Sequence, residues 1–223
     1  MVTFRLSFSR IKVAVIKKIL PIRIENVVLG QYGADPSGKE PGYLDDPTVP
    51  KGSKTPTFAM AVMYIDNERW AGVPFIMKAG KALNERKAEL RIQFCDVPGA
   101  HSTFDGRPVP RNEMVIRLQP DEAVYVKANV KSPGLNVDPM QVELDLSYKG
   151  RFYTGEDAVY SPDAYTRLLL DTLMGKQSAF VRDDELLEAW KVFGPLLEQI
   201  EAGTVPLHTY DYGSRGPMLR RNS

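Results

Sequence analysis

Met114-Val-Ile-Arg-Leu-Gln119 and Val124-Tyr-Val-Lys-Ala-Asn129 are two stretches in which apolar residues recur at every second position. Residues 89–94 and 143–148 follow the same period. Successive side chains of a β-strand point to opposite faces, so this period predicts four strands, each with an apolar and a polar side. We expect the apolar sides to combine into one dry face of a sheet.

Short connections containing Pro and Gly separate these segments, at Asp96-Val-Pro-Gly99 and Lys131-Ser-Pro-Gly134, and they favour antiparallel pairing. Toward the C-terminus the apolar period becomes helical. It predicts one helix over residues 164–174, ended by Gly175, and another over residues 183–200. Strands followed by helices indicate an α+β fold with a large, mainly antiparallel sheet and helices packed on one face.

The composition excludes several classes of function. The 223 residues contain 29 Lys and Arg against 28 Asp and Glu, so no overall charge attracts nucleic acid or a membrane surface. No apolar run is long enough to span a bilayer. The single Cys95 excludes an intrachain disulfide, and its neighbours predict a thiol packed in the core rather than a reactive one. We therefore expect no nucleic-acid partner, no membrane partner and no thiolate metal site.

A cluster of cations lies in residues 78–91, where five Lys and Arg residues occur on a segment that contains Gly80. Arginine offers a planar set of donors that fits phosphate, and lysine a compact charge. A phosphorylated ligand is one interpretation, and a charged turn that faces water is the other. The polar sides of the neighbouring strands add Arg117, Gln119, Tyr125 and Lys127, and these leave both interpretations open.

The sequence contains no evident catalytic apparatus. His101 and His208 lie in segments whose sequence predicts loops. Neither histidine has a carboxylate at the sequence spacing typical of a catalytic triad or of a metal site. No glycine-rich turn follows a strand in the pattern of a dinucleotide fold or a P-loop. We expect no catalytic residue and no metal ligand in this chain.

Several longer motifs stand in a fixed order along the chain, and through them the sequence resembles glucose-6-phosphate dehydrogenase from about residue 11 to residue 217. The main ones are Asn26-Val-Val-Leu-Gly-Gln-Tyr32, Gly42-Tyr-Leu-Asp-Asp-Pro-Thr-Val-Pro50, Gly80-Lys-Ala-Leu-Asn-Glu-Arg-Lys-Ala-Glu89, Ile116-Arg-Leu-Gln-Pro120 and Tyr212-Gly-Ser-Arg-Gly-Pro217. The resemblance implies the family's second domain over residues 26–217. Residues 1–25 would then be the end of a preceding region, or an organelle transit peptide because they lack acidic residues before Glu25, and residues 218–223 a truncated tail.

The resemblance also implies a parent activity, the oxidation of glucose 6-phosphate to the lactone with NADP, which opens the oxidative pentose phosphate pathway. The family's catalytic His and hydride-acceptor site belong to a preceding dinucleotide-binding domain, so this chain alone is expected to be inactive. The family's substrate contacts correspond to Lys81, Arg86 and Gln119. Its second, structural NADP corresponds to Lys78, Lys87, Arg91, Arg117, Tyr125, Lys127, Asp145 and Arg215.

Two departures bear on that NADP site. Lys78 stands where some members have Arg, and the chain ends without the Tyr and Trp that stack on the nucleotide in the family. The resemblance further implies a homodimer or tetramer in the cytoplasm, with a plastid as the alternative. A non-catalytic module that binds NADP or dimerises, and an unrelated sheet scaffold without a ligand, remain alternative functions.

Overall fold

The computed structural model describes residues 8–99, 102, 109–135, 138–154, 160 and 162–218, with side chains from residue 11 onward. The chain forms two compact units. The first combines residues 1–85 with residues 165–223, and the second contains residues 86–164. The region of residues 26–217, predicted as one domain, therefore contributes to two units.

The first unit contains a sheet of four strands, which lie in the order β3 (Phe75–Gly80), β2 (Phe58–Met63), β1 (Val27–Gly33) and β8 (Leu207–Asp211). Strands β1, β2 and β3 pair antiparallel, whereas β8 pairs parallel to β1. Because β8 comes after the helices in the chain, the C-terminal segment returns to the start of the fold. The helices of this unit are α1 (Phe8–Ile16), α3 (Ala164–Leu173) and α4 (Asp183–Glu201).

The core of the first unit lies between this sheet and α4. Val192 and Leu196 are one helical turn apart and therefore lie on the same side of α4, where both are buried. They form one cluster with Met63 of β2 and with Ile22. Partly buried side chains from α1 and β1 complete the cluster. The amphipathic pattern of α4 thus attaches the helices to the sheet.

The second unit contains β4 (Ala88–Gln93), β5 (Glu113–Gln119), β6 (Ala123–Lys131), β7 (Pro139–Ser147) and the short helix α2 (Tyr148–Phe152). The four strands pair antiparallel in the order β4-β5-β6-β7. The register sets Leu90 opposite Ile116 and Val124 opposite Leu146. Large apolar side chains therefore share one side of this sheet, which we call the apolar face, and the alternate residues form its polar face.

The predicted α+β class with mainly antiparallel strands is confirmed, and so are both C-terminal helices, over Ala164–Leu173 and Asp183–Glu201. The strands are divided between two sheets of four rather than forming a single large one. The division falls at residues 81–87, where the backbone leaves the extended conformation and Ala82 has a φ of 50°.

The apolar face of the second unit is not dry in this chain. Leu118 is 61% exposed and Leu144 66% exposed, because no described residue covers them. Val115, by contrast, is 0% exposed, and it lies on the polar face beside Tyr125. Long polar side chains have apolar stems that cover such a residue. The prediction of two distinct faces is confirmed, but the prediction that the apolar face is dry is wrong for this chain.

Cys95 is exposed, which corrects the prediction of a packed core thiol. Strand β4 ends at Gln93, so the chain leaves the sheet before it reaches the thiol. His208 lies on β8 rather than in a loop and is exposed, while His101 lies outside the described residues. Within the described ranges, no helix has the length and apolarity of a membrane span, and no group of three metal-binding side chains occurs.

Candidate functional site

The loop after β3 carries Lys81 in the first unit. Lys81 is exposed and forms no ion pair with any residue that the structure describes. The next residue, Ala82, has a positive φ of 50°. For a residue other than glycine, this left-handed conformation is about 1 kcal/mol or more less favourable than the right-handed one. Strained backbone persists only where the surroundings hold it, and it concentrates at functional sites.

Hydrogen bonds from the C-terminal segment hold this loop. The Tyr210 hydroxyl donates to the Lys81 carbonyl oxygen over 2.8 Å. The Gly213 N–H donates to the Ala82 carbonyl over 2.8 Å, and the Asn84 N–H donates to the Ser214 carbonyl over 2.9 Å. Sequence analysis missed all three contacts, because no local pattern indicates that β8 lies beside the Lys81 loop.

Lys78 and Arg215 are also brought together in the first unit. The Lys78 ammonium donates to the Arg215 carbonyl oxygen over 2.7 Å and lies 5.6 Å from the centre of the Phe58 ring. Two residues of the predicted NADP set are therefore neighbours here. The contact uses the backbone of Arg215, and the guanidinium of Arg215 has no ion pair among the described residues.

In the second unit, the polar face pairs most of its cations with its own carboxylates. Arg91 contacts Glu113 at 2.6 Å and Glu89 at 3.0 Å, and Lys127 contacts Glu143 at 3.0 Å. Burial by itself would raise the pKa of Glu89, but the hydrogen bond from Arg91 and the charge of Lys87 hold that pKa below its usual value. Alternation places Glu89 and Glu143 on the polar sides of their strands, but sequence analysis did not consider them as partners of the cations, which the register sets beside them.

Arg117 differs from the other cations of the polar face. Its guanidinium carbon lies 5.8 Å from the centre of the Tyr125 ring, a distance typical of a cation–π contact. Its Nε atom is buried and has no hydrogen-bond partner among the described residues. Leaving such a charged donor unpaired costs free energy. Among the described residues, Arg117 therefore has no carboxylate partner that would compete with an anion, unlike Arg91 and Lys127.

The remaining candidates of the second unit lie at the edges of its sheet. Gln119 stands opposite Ala88 in the register, and Arg86 precedes Ala88 by two residues, so the two side chains belong to the same end of the β4–β5 pair. Both side chains are exposed, and neither forms a hydrogen bond or an ion pair with a residue in the described ranges. Asp145 stands opposite Tyr125 on the polar face, and Lys87 contacts Glu89 at 3.4 Å.

Comparison with known proteins matches residues 6–222 to the family described as glucose-6-phosphate dehydrogenase, C-terminal domain. The chain belongs to this family. It is 54% identical over 209 residues to the glucose-6-phosphate 1-dehydrogenase of Takifugu rubripes and 57% identical over 206 residues to the cytoplasmic isoform of Solanum tuberosum. Each match covers 92% of this chain but 38% of the relative.

Solved structures of the glucose-6-phosphate dehydrogenase family share the fold. One, described as the dehydrogenase in complex with its substrate glucose 6-phosphate, has a TM-score of 0.82 at 47% identity and covers 92% of this chain and 41% of its own. The enzyme from Mycobacterium avium has a TM-score of 0.73 at 30% identity, with 92% of this chain and 40% of its own covered. This chain therefore spans about two fifths of the length of these dehydrogenases.

The buried tyrosine at the Lys81 loop makes stability depend on pH. Burial raises the pKa of the Tyr210 hydroxyl above the ordinary 10.0, so the folded state keeps the proton that an unfolded chain releases. This contribution to stability is complete below pH 10.0 and is lost as the pH rises through the folded pKa. We expect the free energy of unfolding in urea to fall above that pH, and to fall less steeply in Tyr210→Phe. Identical pH slopes for the two proteins would contradict the assignment.

Proposed function

We propose that this chain is the part of a glucose-6-phosphate dehydrogenase that binds glucose 6-phosphate and a structural NADP and that joins two copies of the enzyme. The family membership supports the reaction, in which NADP accepts a hydride from the sugar. Within the first unit, Lys81 is the residue assigned to the sugar phosphate. Arg86 and Gln119 are separate candidates for such a contact, both within the second unit. The names of relatives, which include cytoplasmic isoforms, support a cytoplasmic location.

The buried, unpaired Nε of Arg117 is the observation that carries the nucleotide part of the proposal. A phosphate oxygen accepts hydrogen bonds from the outer N–H groups of this guanidinium, and the buried Tyr125 ring beneath Arg117 supports its orientation. Arg91 and Lys127 fit a phosphate less well, because binding there competes with Glu113 and Glu143. The residues therefore fit NADP with Arg117 as the main contact and with Lys127 and Arg91 in support.

Calorimetric titration of the chain with NADP and with NAD tests this proposal. We expect NADP to bind more tightly, because its additional 2′-phosphate provides the charge that Arg117 recognises. Arg117→Ala should weaken NADP binding roughly tenfold and remove most of the preference over NAD, the order expected for one charge-assisted hydrogen bond. Higher salt should weaken the binding of the wild-type protein as well.

Arg111→Ala is the matched control, since it removes the same charge from the same unit. Arg111 is exposed and its guanidinium is bound to Asp96, so we expect NADP binding to change little. Equal affinity of the wild-type chain for the two nucleotides would contradict the proposal. So would an Arg117→Ala variant that binds NADP as well as the Arg111→Ala control does.

The exposed apolar face of the second unit supports the proposed dimer. Its strands carry large apolar side chains in register across all four strands. Contiguous exposed apolar surface of this kind usually marks a protein–protein interface. A second copy of the same chain, related by a twofold axis, is the proposed partner.

A further inference from the structure

The Tyr210 hydroxyl ends a directed chain of hydrogen bonds. The Tyr32 N–H donates to the Thr57 hydroxyl oxygen over 3.1 Å, and that hydroxyl lies 3.0 Å from the Tyr210 oxygen. The Tyr210 oxygen in turn lies 2.8 Å from the Lys81 carbonyl oxygen. A carbonyl only accepts and an N–H only donates, so each hydroxyl between them uses its single proton in the same direction. The last hydrogen bond of this series is therefore donated by the Tyr210 hydroxyl to the Lys81 carbonyl oxygen.

This chain of bonds is shielded from water, because Tyr210 is only 4% exposed. Its ring contacts Phe58 at a centroid distance of 5.7 Å and Tyr32 at 6.4 Å, both edge to face. Packed aromatic contacts of this type leave the ring little freedom to move. The hydroxyl consequently stands at a fixed point on a rigid support.

The Lys81 backbone is held from two directions. Its N–H donates to the Thr57 carbonyl over 2.9 Å, while its carbonyl accepts from Tyr210. With both peptide groups fixed, the direction in which the Lys81 side chain leaves the backbone is fixed as well. The positive φ of Ala82 is the conformational strain that these bonds maintain.

We propose that Tyr210 is a positioning residue for Lys81, which it orients for a sugar phosphate by bonding to the Lys81 carbonyl oxygen. This inference rests on the proposed function, in which Lys81 contacts the phosphate of glucose 6-phosphate. A flexible lysine loses side-chain entropy when it binds, so a backbone that is already oriented lowers the cost of each contact. Tyr210 itself contributes no charge and does not touch the ligand.

Titration calorimetry with glucose 6-phosphate on the 223-residue chain tests the inference. Tyr210→Phe keeps the ring and removes the hydroxyl, and we expect affinity to fall roughly 3- to 10-fold, the range for one lost hydrogen bond. Lys81→Gln should lower affinity at least about tenfold, because a charged contact is lost. Tyr43→Phe is the control: Tyr43 belongs to the same aromatic cluster, 5.9 Å from Tyr32, and we expect unchanged affinity.

The double variant separates positioning from a general loss of structure. If Tyr210 acts through Lys81, Tyr210→Phe changes affinity little when Lys81→Gln is already present. A merely structural role would weaken binding by the same factor in both backgrounds. Thr57→Val, which removes the preceding hydroxyl, gives the same test with a smaller effect and serves if Tyr210→Phe folds poorly.

The possible outcomes distinguish the inference from the proposed function. A wild-type chain that does not bind glucose 6-phosphate, or a Lys81→Gln variant that binds normally, overturns the proposed role of Lys81 and the inference with it. Binding that requires Lys81 but is unaffected by Tyr210→Phe and by Thr57→Val overturns the inference alone. Equal effects of Tyr210→Phe in both backgrounds overturn it too.

Discussion

Replacing Leu144 with aspartate is expected to abolish self-association of this chain. Leu144 lies on β7 within the apolar face of the second unit, opposite Val126, and is 66% exposed. In the proposed dimer this side chain is buried, and in a twofold interface the substitution acts on both copies. An unpaired charge buried in such a contact is strongly destabilising, so we expect the dissociation constant to rise at least about 100-fold.

Sedimentation velocity over a wide range of concentration measures this effect. Leu187→Asp is the matched control. Leu187 is 64% exposed on α4 in the first unit, so this substitution adds the same charge at a similarly exposed position outside the apolar face. The control should associate like the wild-type chain. A wild-type chain that stays monomeric throughout, or equal association of both variants, would contradict the proposed interface.

Gly216→Ala is expected to lower the free energy of unfolding more than the matched substitution Gly213→Ala does. Gly216 has a φ of 101°, and a Cβ atom there would lie 2.5 Å from Cε2 of the buried Phe58. The variant therefore combines a strained backbone with overpacking of a rigid ring. We expect the free energy of unfolding to fall by about 2–5 kcal/mol, the sum of the usual costs of these two effects.

Gly213→Ala isolates the backbone part of that loss. Gly213 has a φ of 78°, but a Cβ atom there meets no atom within 4 Å, so only the strain of about 1–2 kcal/mol remains. Urea unfolding followed by tryptophan fluorescence measures both variants, since Trp70 and Trp190 belong to the first unit. If Gly216→Ala is no more destabilising than Gly213→Ala, a Cβ atom at residue 216 does not clash with Phe58 as proposed.

Local patterns were sufficient to predict much of the second unit. Alternation in residues 89–94 and 114–119 predicted β4 and β5, and the register confirms which residues share a face. The helices over Ala164–Leu173 and Asp183–Glu201 followed from helical spacing and from the Gly175 stop. These features depend on neighbours in sequence, which is why one sequence reveals them.

Predictions that required knowledge of the surroundings were less successful. Cys95 was assigned to a core, yet the strand ends before it. The cations of the polar face were treated as equivalent, whereas Arg91 and Lys127 are paired with glutamates and Arg117 is not. Pairing depends on the register between strands, and alternation within one strand does not reveal it.

The sequence by itself determined the α+β class, the two faces of the second sheet, and the family, because each follows from periods and motifs within short segments. Only the tertiary structure decided that β8 pairs parallel to β1, which places Tyr210 against the Lys81 loop. That contact joins residues 129 positions apart. Its position depends on packing over the whole first unit, and no local propensity encodes contacts at that separation.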